Sequence, residues 1–210
     1  MKSSLLLYIE LLTLFVLLPL SFLWNYPIYL KIVVVLTGFI YILITLKKAS
    51  ALRLNKPGSV ISNAFIERIS IQFVLLIVAG TIYVYLEAPN KLFAVPLKKP
   101  GLWVLILAVY TFLSVWPQEI IYRTFFFLRY EQLLPNKWVL ILVNGVLFSL
   151  AHIFFRNTLV LLLTFIGGLC FAYTYFITRS TLLVSVEHAI YGNWLFTVGM
   201  GEMLAFPGVE

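Results

Sequence analysis

Glu119 and Arg123 stand four residues apart inside a long apolar run, in Trp116-Pro117-Gln118-Glu119-Ile120-Ile121-Tyr122-Arg123. On a helix that spacing puts the carboxylate and the guanidinium on one face, one turn apart. Two later apolar runs each carry one of the chain's two histidines, His152 and His188. Ionisable groups at membrane depth are costly, so they face a bundle interior or a wet cavity. Two imidazoles and a carboxylate can hold a divalent metal with an open position, and a glutamate then deprotonates the bound water. Without metal, a buried glutamate activates water directly. The histidines and Asn193 then stabilise the oxyanion. Either route hydrolyses an amide. The same groups also suit a proton- or ion-coupled carrier. Taken singly, each has a structural reading: a helix-tying ion pair for Glu119 and Arg123, and a hydrogen-bonded core group for each histidine.

The neighbours of these groups narrow their roles. Gln118 donates and accepts hydrogen bonds but cannot act as a base. Asn193 follows His188 by five residues, about 140° round a helix, and Gly192 between them is a place where the helix could loosen. Glu187, beside His188, reads as an interhelical hydrogen-bonding group, as do Glu10 and Gln72 in their own runs. Cys170 is the only cysteine and sits in Gly167-Gly168-Leu169-Cys170. It is an inert small residue there, and there is no disulfide framework or thiolate metal cluster.

Long apolar elements must position this chemistry. Of 210 residues, 62% are hydrophobic and 11% charged, with a mean hydropathy of +1.03; soluble domains carry about 25% charged residues. The fold class expected is all-α, a polytopic transmembrane helix bundle of about seven spans. They lie near 4–24, 27–46, 69–87, 101–130, 137–155, 158–178 and 181–200, and the site falls between spans four, five and seven. The opening run is longer than a signal sequence's apolar region and lacks a small-x-small cleavage site, so it reads as a retained first helix. Pro117 is expected to kink the fourth span. Residues 1–100 form N-terminal transmembrane helices and a basic loop, 101–200 a catalytic core and 201–210 a tail. The net charge of +7 fits cytoplasmic loops and anionic lipid headgroups rather than nucleic acid.

The basic residues also set an orientation. If the loop Lys47 to Arg68, with Arg53 and Lys56, is cytoplasmic, then so are Lys2, Arg129, Lys137 and Arg179. The acidic tail with Glu202 and Glu210 then faces out. Glu119, His152 and His188 lie ten, fifteen and nine residues from Arg129, Lys137 and Arg179. At the rise of a helix, those separations place all three roughly 14–22 Å from the cytoplasmic ends. Three groups at similar depth on three helices can meet in one chamber.

In order, spacing and helical setting, Gln118-Glu119-x-x-x-Arg123, Phe148-x-x-x-His152 and His188 with nearby Asn193 resemble the CPBP family. These are the CAAX-processing and bacteriocin-processing (Abi) intramembrane proteases. The resemblance covers roughly residues 101–200, including Arg179-Ser180-Thr181-Leu182. It implies a membrane endopeptidase acting on a peptide or lipidated protein, in contact with membrane lipids and in the cell membrane. Glu119, His152, His188 and Asn193 would be catalytic, with Gln118 and Arg123 positioning. Zinc or another divalent metal at His152 and His188 is one implied cofactor, and a metal-free site the other. The sequence departs from the family's pattern twice. Gln118 stands where the first, water-activating glutamate is usual, and Gly192 stands four residues after the histidine, where asparagine is common. Gln118 therefore raises an alternative, a catalytically silent membrane partner or immunity protein with the same fold.

Overall fold

The computed structural model describes residues 4–50 and 62–201. Lys2, Arg53, Lys56, Glu202 and Glu210, used above for orientation, lie outside the described residues. Among those described there is no strand. Six helices are long and apolar enough to cross a membrane: α1 (Ser4–Ser21), α2 (Ile28–Lys48), α3 (Asn63–Glu87), α4 (Pro100–Leu133), α5 (Lys137–Phe155) and α6 (Thr158–Thr178). The seventh expected span, α7 (Thr181–Val198), is a helix of 18 residues. It falls outside those six because Glu187, His188 and Asn193 interrupt its apolar character. Large apolar side chains stand outward along the helices, among them Ile32, Val33 and Leu36 of α2 and Leu75, Val78 and Ile82 of α3. In water such a surface would aggregate. The protein is an integral membrane protein.

Local sequence starts these helices in a consistent way. Ser62, Asn136 and Asn157 each cap a helix by accepting from backbone N–H groups of its first turn, bonds worth about 1 kcal/mol apiece. In α4, where Pro117 was expected to kink the span, two π-helical turns flank the turn that holds it. Tyr110–Val115 precedes the α-helical turn Trp116–Glu119, and Ile120–Phe125 follows it. Widened turns of this kind rotate side chains out of simple helical register and are frequent at functional sites.

The chain divides into two compact units, Met1–Leu54 with Glu119–Thr181, and Asn55–Gln118 with Leu182–Glu210. In the first, Phe15 of α1 is fully buried. The rings of Tyr122, Phe126 and Tyr130 meet it edge-on at 5.2, 5.5 and 5.8 Å, each such pair adding about 0.5–1.5 kcal/mol beyond its area. Glu10 accepts hydrogen bonds from Arg129 Nε at 2.9 Å, Tyr41 Oη at 2.6 Å and Tyr130 Oη at 3.0 Å. It thereby ties α1 to α2 and α4, as its helix-contact reading predicts. Helices α5 and α6 approach closely where Gly145 faces Gly168: a Cβ on Gly168 would lie 3.0 Å from Gly145 Cα. Arg179 ends α6 in the left-handed region, φ 51°. Its guanidinium donates to both Glu131 carboxylate oxygens, which holds it above its ordinary pKa.

The second unit contains α3, α4 up to Gln118, and α7 from Leu182 onward. Val95, Ile106 and Phe196 form its apolar core. Phe73 of α3 stacks on Tyr191 at 6.1 Å. Buried Glu187 lies 3.7 Å from Arg68 and 3.2 Å from the Tyr191 hydroxyl. Gln72 accepts from Arg68 at 3.3 Å and lies 3.1 Å from that same hydroxyl. Glu187 and Gln72 therefore hold α7 to α3, the interhelical role their sequence setting suggests.

Candidate active site

In the first unit, Glu119 and Arg123 are both fully buried, with Arg123 Nε 3.3 Å from Glu119 Oε2. The guanidinium reaches two further partners on α5. Its Nη1 donates to Asn144 Oδ1 at 2.7 Å, and its plane lies over the Phe148 ring at 4.7 Å. Asn144 Nδ2 in turn donates to the Tyr122 carbonyl at 2.6 Å. A buried charge is tolerable only when paired and hydrogen-bonded, and Arg123 has both.

His152 sits where α5 stops being α-helical. The α-helix runs Lys137–Leu150 and a 3₁₀ turn, Ile153–Phe155, follows. The expectation of a histidine within a continuous helix is corrected here. The His152 backbone N–H bonds Ser149 O at 2.9 Å. The imidazole Nδ1 bonds the Phe148 carbonyl at 2.8 Å. A carbonyl only accepts, so Nδ1 carries a proton, and Nε2 is the acceptor whenever the ring is neutral. The Phe148 ring packs edge-on against the imidazole at 4.9 Å. The spacing Phe148-x-x-x-His152 thus has a physical content. Residue 148 presents its carbonyl and one ring contact to His152, and the face of its ring to Arg123.

In the second unit, His188 is buried on α7 and meets the Tyr110 ring edge-on, at 5.9 Å and 82°. Asn193 Nδ2 donates to Thr111 Oγ1 at 3.1 Å, and Gln118 Nε2 donates to Ser114 Oγ at 2.9 Å. Among the described residues, Gln118 Oε1 and Asn193 Oδ1 are buried with no hydrogen-bond partner. Two such carbonyl oxygens favour a bound donor, an N–H or a water. Helix α7 continues through Gly192, so the expected loosening there does not occur. A Cβ at position 192 would instead lie 2.0 Å from the Tyr110 hydroxyl oxygen.

The expected site residues therefore fall on both units: Glu119, Arg123 and His152 on the first, Gln118, His188 and Asn193 on the second. Sequence reasoning missed Asn144 and Tyr110. Asn144 could have been found, since Asn144, Phe148 and His152 recur every four residues along one helix face. Tyr110 gave no comparable signal. As to cofactors, no group of three or more His, Cys, Asp or Glu side chains among the described residues could hold a metal ion.

Residues 100–194 match the family model described as type II CAAX prenyl endopeptidase Rce1-like. The matched segment takes in every site residue named above. No curated protein and no solved structure matches the chain.

Proposed function

We propose, from the match of residues 100–194 to the type II CAAX prenyl endopeptidase Rce1-like model, that the chain hydrolyses a peptide bond within or beside the membrane. The substrate is a peptide or a lipidated protein, and the membrane is the cell membrane. Water attacks the scissile carbonyl carbon and gives its proton to His152 Nε2. The C–N bond then breaks, and the imidazolium returns the proton to the leaving amine. The pinning of Nδ1 by the Phe148 carbonyl, at 2.8 Å, is the observation that carries this assignment. It holds the ring in the tautomer a base requires.

Glu119 orients the attacking water and stabilises the imidazolium, while Arg123 keeps the carboxylate in place. His188 and Asn193 donate to the oxyanion, and the Gln118 amide oxygen accepts from water or from a substrate N–H. No step runs through a metal. The test is cleavage of membrane-embedded peptides, with and without a lipidated cysteine, by purified protein in liposomes. His152→Ala is expected to lower kcat by about 10²–10⁴-fold. Unchanged kcat in that variant refutes the assignment.

Gln118 supports a second reading, a silent binding protein that keeps the fold. Wild-type protein without peptidase activity that gains it as Gln118→Glu would establish a lapsed enzyme. Full wild-type cleavage would eliminate that reading.

A further inference from the structure

We propose that Tyr110 is a further residue of the reaction site, its phenolic O–H supplying the donor that the family's pattern places on an asparagine at position 192. The inference rests on the peptidase reading above. Its physical basis lies wholly within the second unit. A Cβ built on Gly192 would lie 2.0 Å from Tyr110 Oη and 2.3 Å from both Cε1 and Cζ. The tyrosine ring therefore occupies the volume that any side chain at 192 would need. Only glycine permits this approach, so Gly192 and Tyr110 act as one structural pair.

The position is chemically apt. Residue 192 lies one helical turn beyond His188 on the same face of α7. The Tyr110 ring also contacts the His188 imidazole edge-on at 5.9 Å. Its other side packs against Phe196 at 4.9 Å, which fixes the ring plane. Tyr110 opens the π-helical turn Tyr110–Val115, and the next residue, Thr111, accepts from Asn193. The widened turn thus presents two consecutive residues of α4 to α7, Tyr110 at position 192 and Thr111 at position 193. A phenol donates one hydrogen bond, as an amide N–H does. Donors preset around a developing oxyanion are worth about 10²–10³ in kcat each.

The experiment compares wild type, Tyr110→Phe, Tyr110→Ala and the double variant Tyr110→Ala with Gly192→Asn in liposomes. It uses a cleavable peptide and a phosphinate peptide that mimics the tetrahedral oxyanion. Tyr110→Phe keeps the ring packing and removes only the O–H. Its kcat is expected to fall about 10²-fold with KM unchanged, and its affinity for the phosphinate to fall by a similar factor. The double variant restores an amide at 192 and is expected to bind the phosphinate more tightly than Tyr110→Ala alone. Phosphinate binding and kcat unchanged in Tyr110→Phe would overturn the role of Tyr110 while leaving the peptidase reading intact. Wild-type protein that neither cleaves the peptide nor binds the phosphinate would overturn both.

Discussion

Asn144→Leu isolates the network that makes a buried arginine tolerable. The exchange keeps side-chain volume and removes two hydrogen bonds, one from Arg123 at 2.7 Å and one to the Tyr122 carbonyl at 2.6 Å. Asn144 is fully buried, so no water replaces either bond. A hydrogen bond between transmembrane helices contributes on average about 0.6 kcal/mol and at most about 1.7. One to a charged group is worth about 1.5–3 kcal/mol. Together the two bonds put the loss at roughly 2–4 kcal/mol. For a chain of this size each kcal/mol moves Tm by about 2–4 °C, so a fall on the order of 5–15 °C is expected in detergent micelles. The triple variant Glu119→Gln, Arg123→Met, Asn144→Leu removes the charges together with their partners. It should recover much of that stability, because a paired buried charge gives little net stabilisation over an apolar replacement. If Asn144→Leu alone costs no more than an ordinary surface substitution, about 0.5 kcal/mol, the guanidinium is not held as described.

Other perturbations test other parts of the structure. Gly168→Leu should force α5 and α6 apart, because a Cβ there already sits 3.0 Å from Gly145 Cα, and cost about 1–3 kcal/mol in an unfolding assay. Gly101→Ala, with nothing within 4 Å of its Cβ, should leave Tm unchanged. Glu131→Ala breaks a half-exposed bridge to Arg179; it should cost less than about 1 kcal/mol and the loss should shrink with added salt. Metal analysis of purified protein decides between the two cofactor readings: one equivalent of zinc per chain that is lost in His152→Ala, with cleavage stopped by chelators, establishes a metal site, and far less than one equivalent with chelator-insensitive cleavage establishes a metal-free one.

The helical class and the contacts between residues one turn apart were legible because they depend on local spacing. Glu119 and Arg123 meet because a helix brings residues four apart together. Phe148 and His152 meet for the same reason, although the helix has already given way to a turn at the histidine. What was not legible depends on partners distant in sequence. Nothing around Gly192 announces that a tyrosine 82 residues earlier fills its side-chain space. Asn144 looked like an incidental polar residue in an apolar run until Arg123 was placed beside it. Pro117 was expected to kink the fourth span, and what the structure shows around it is a pair of π-helical turns. That form, a π-turn on either side, follows from how the surrounding helix redistributes its hydrogen bonds.

The Arg123 guanidinium has a consequence for how the chain enters the bilayer. Arginine stays protonated under any cellular condition, and moving it alone to the bilayer centre costs about 2.5–3.5 kcal/mol even during assisted insertion. Glu119 travels on the same helix, but Asn144 and the Phe148 ring are synthesised only afterwards. The fourth helix therefore carries a charge whose uncharged partners lie on the fifth, and a fragment ending before Lys137 should insert less efficiently than one that includes both helices.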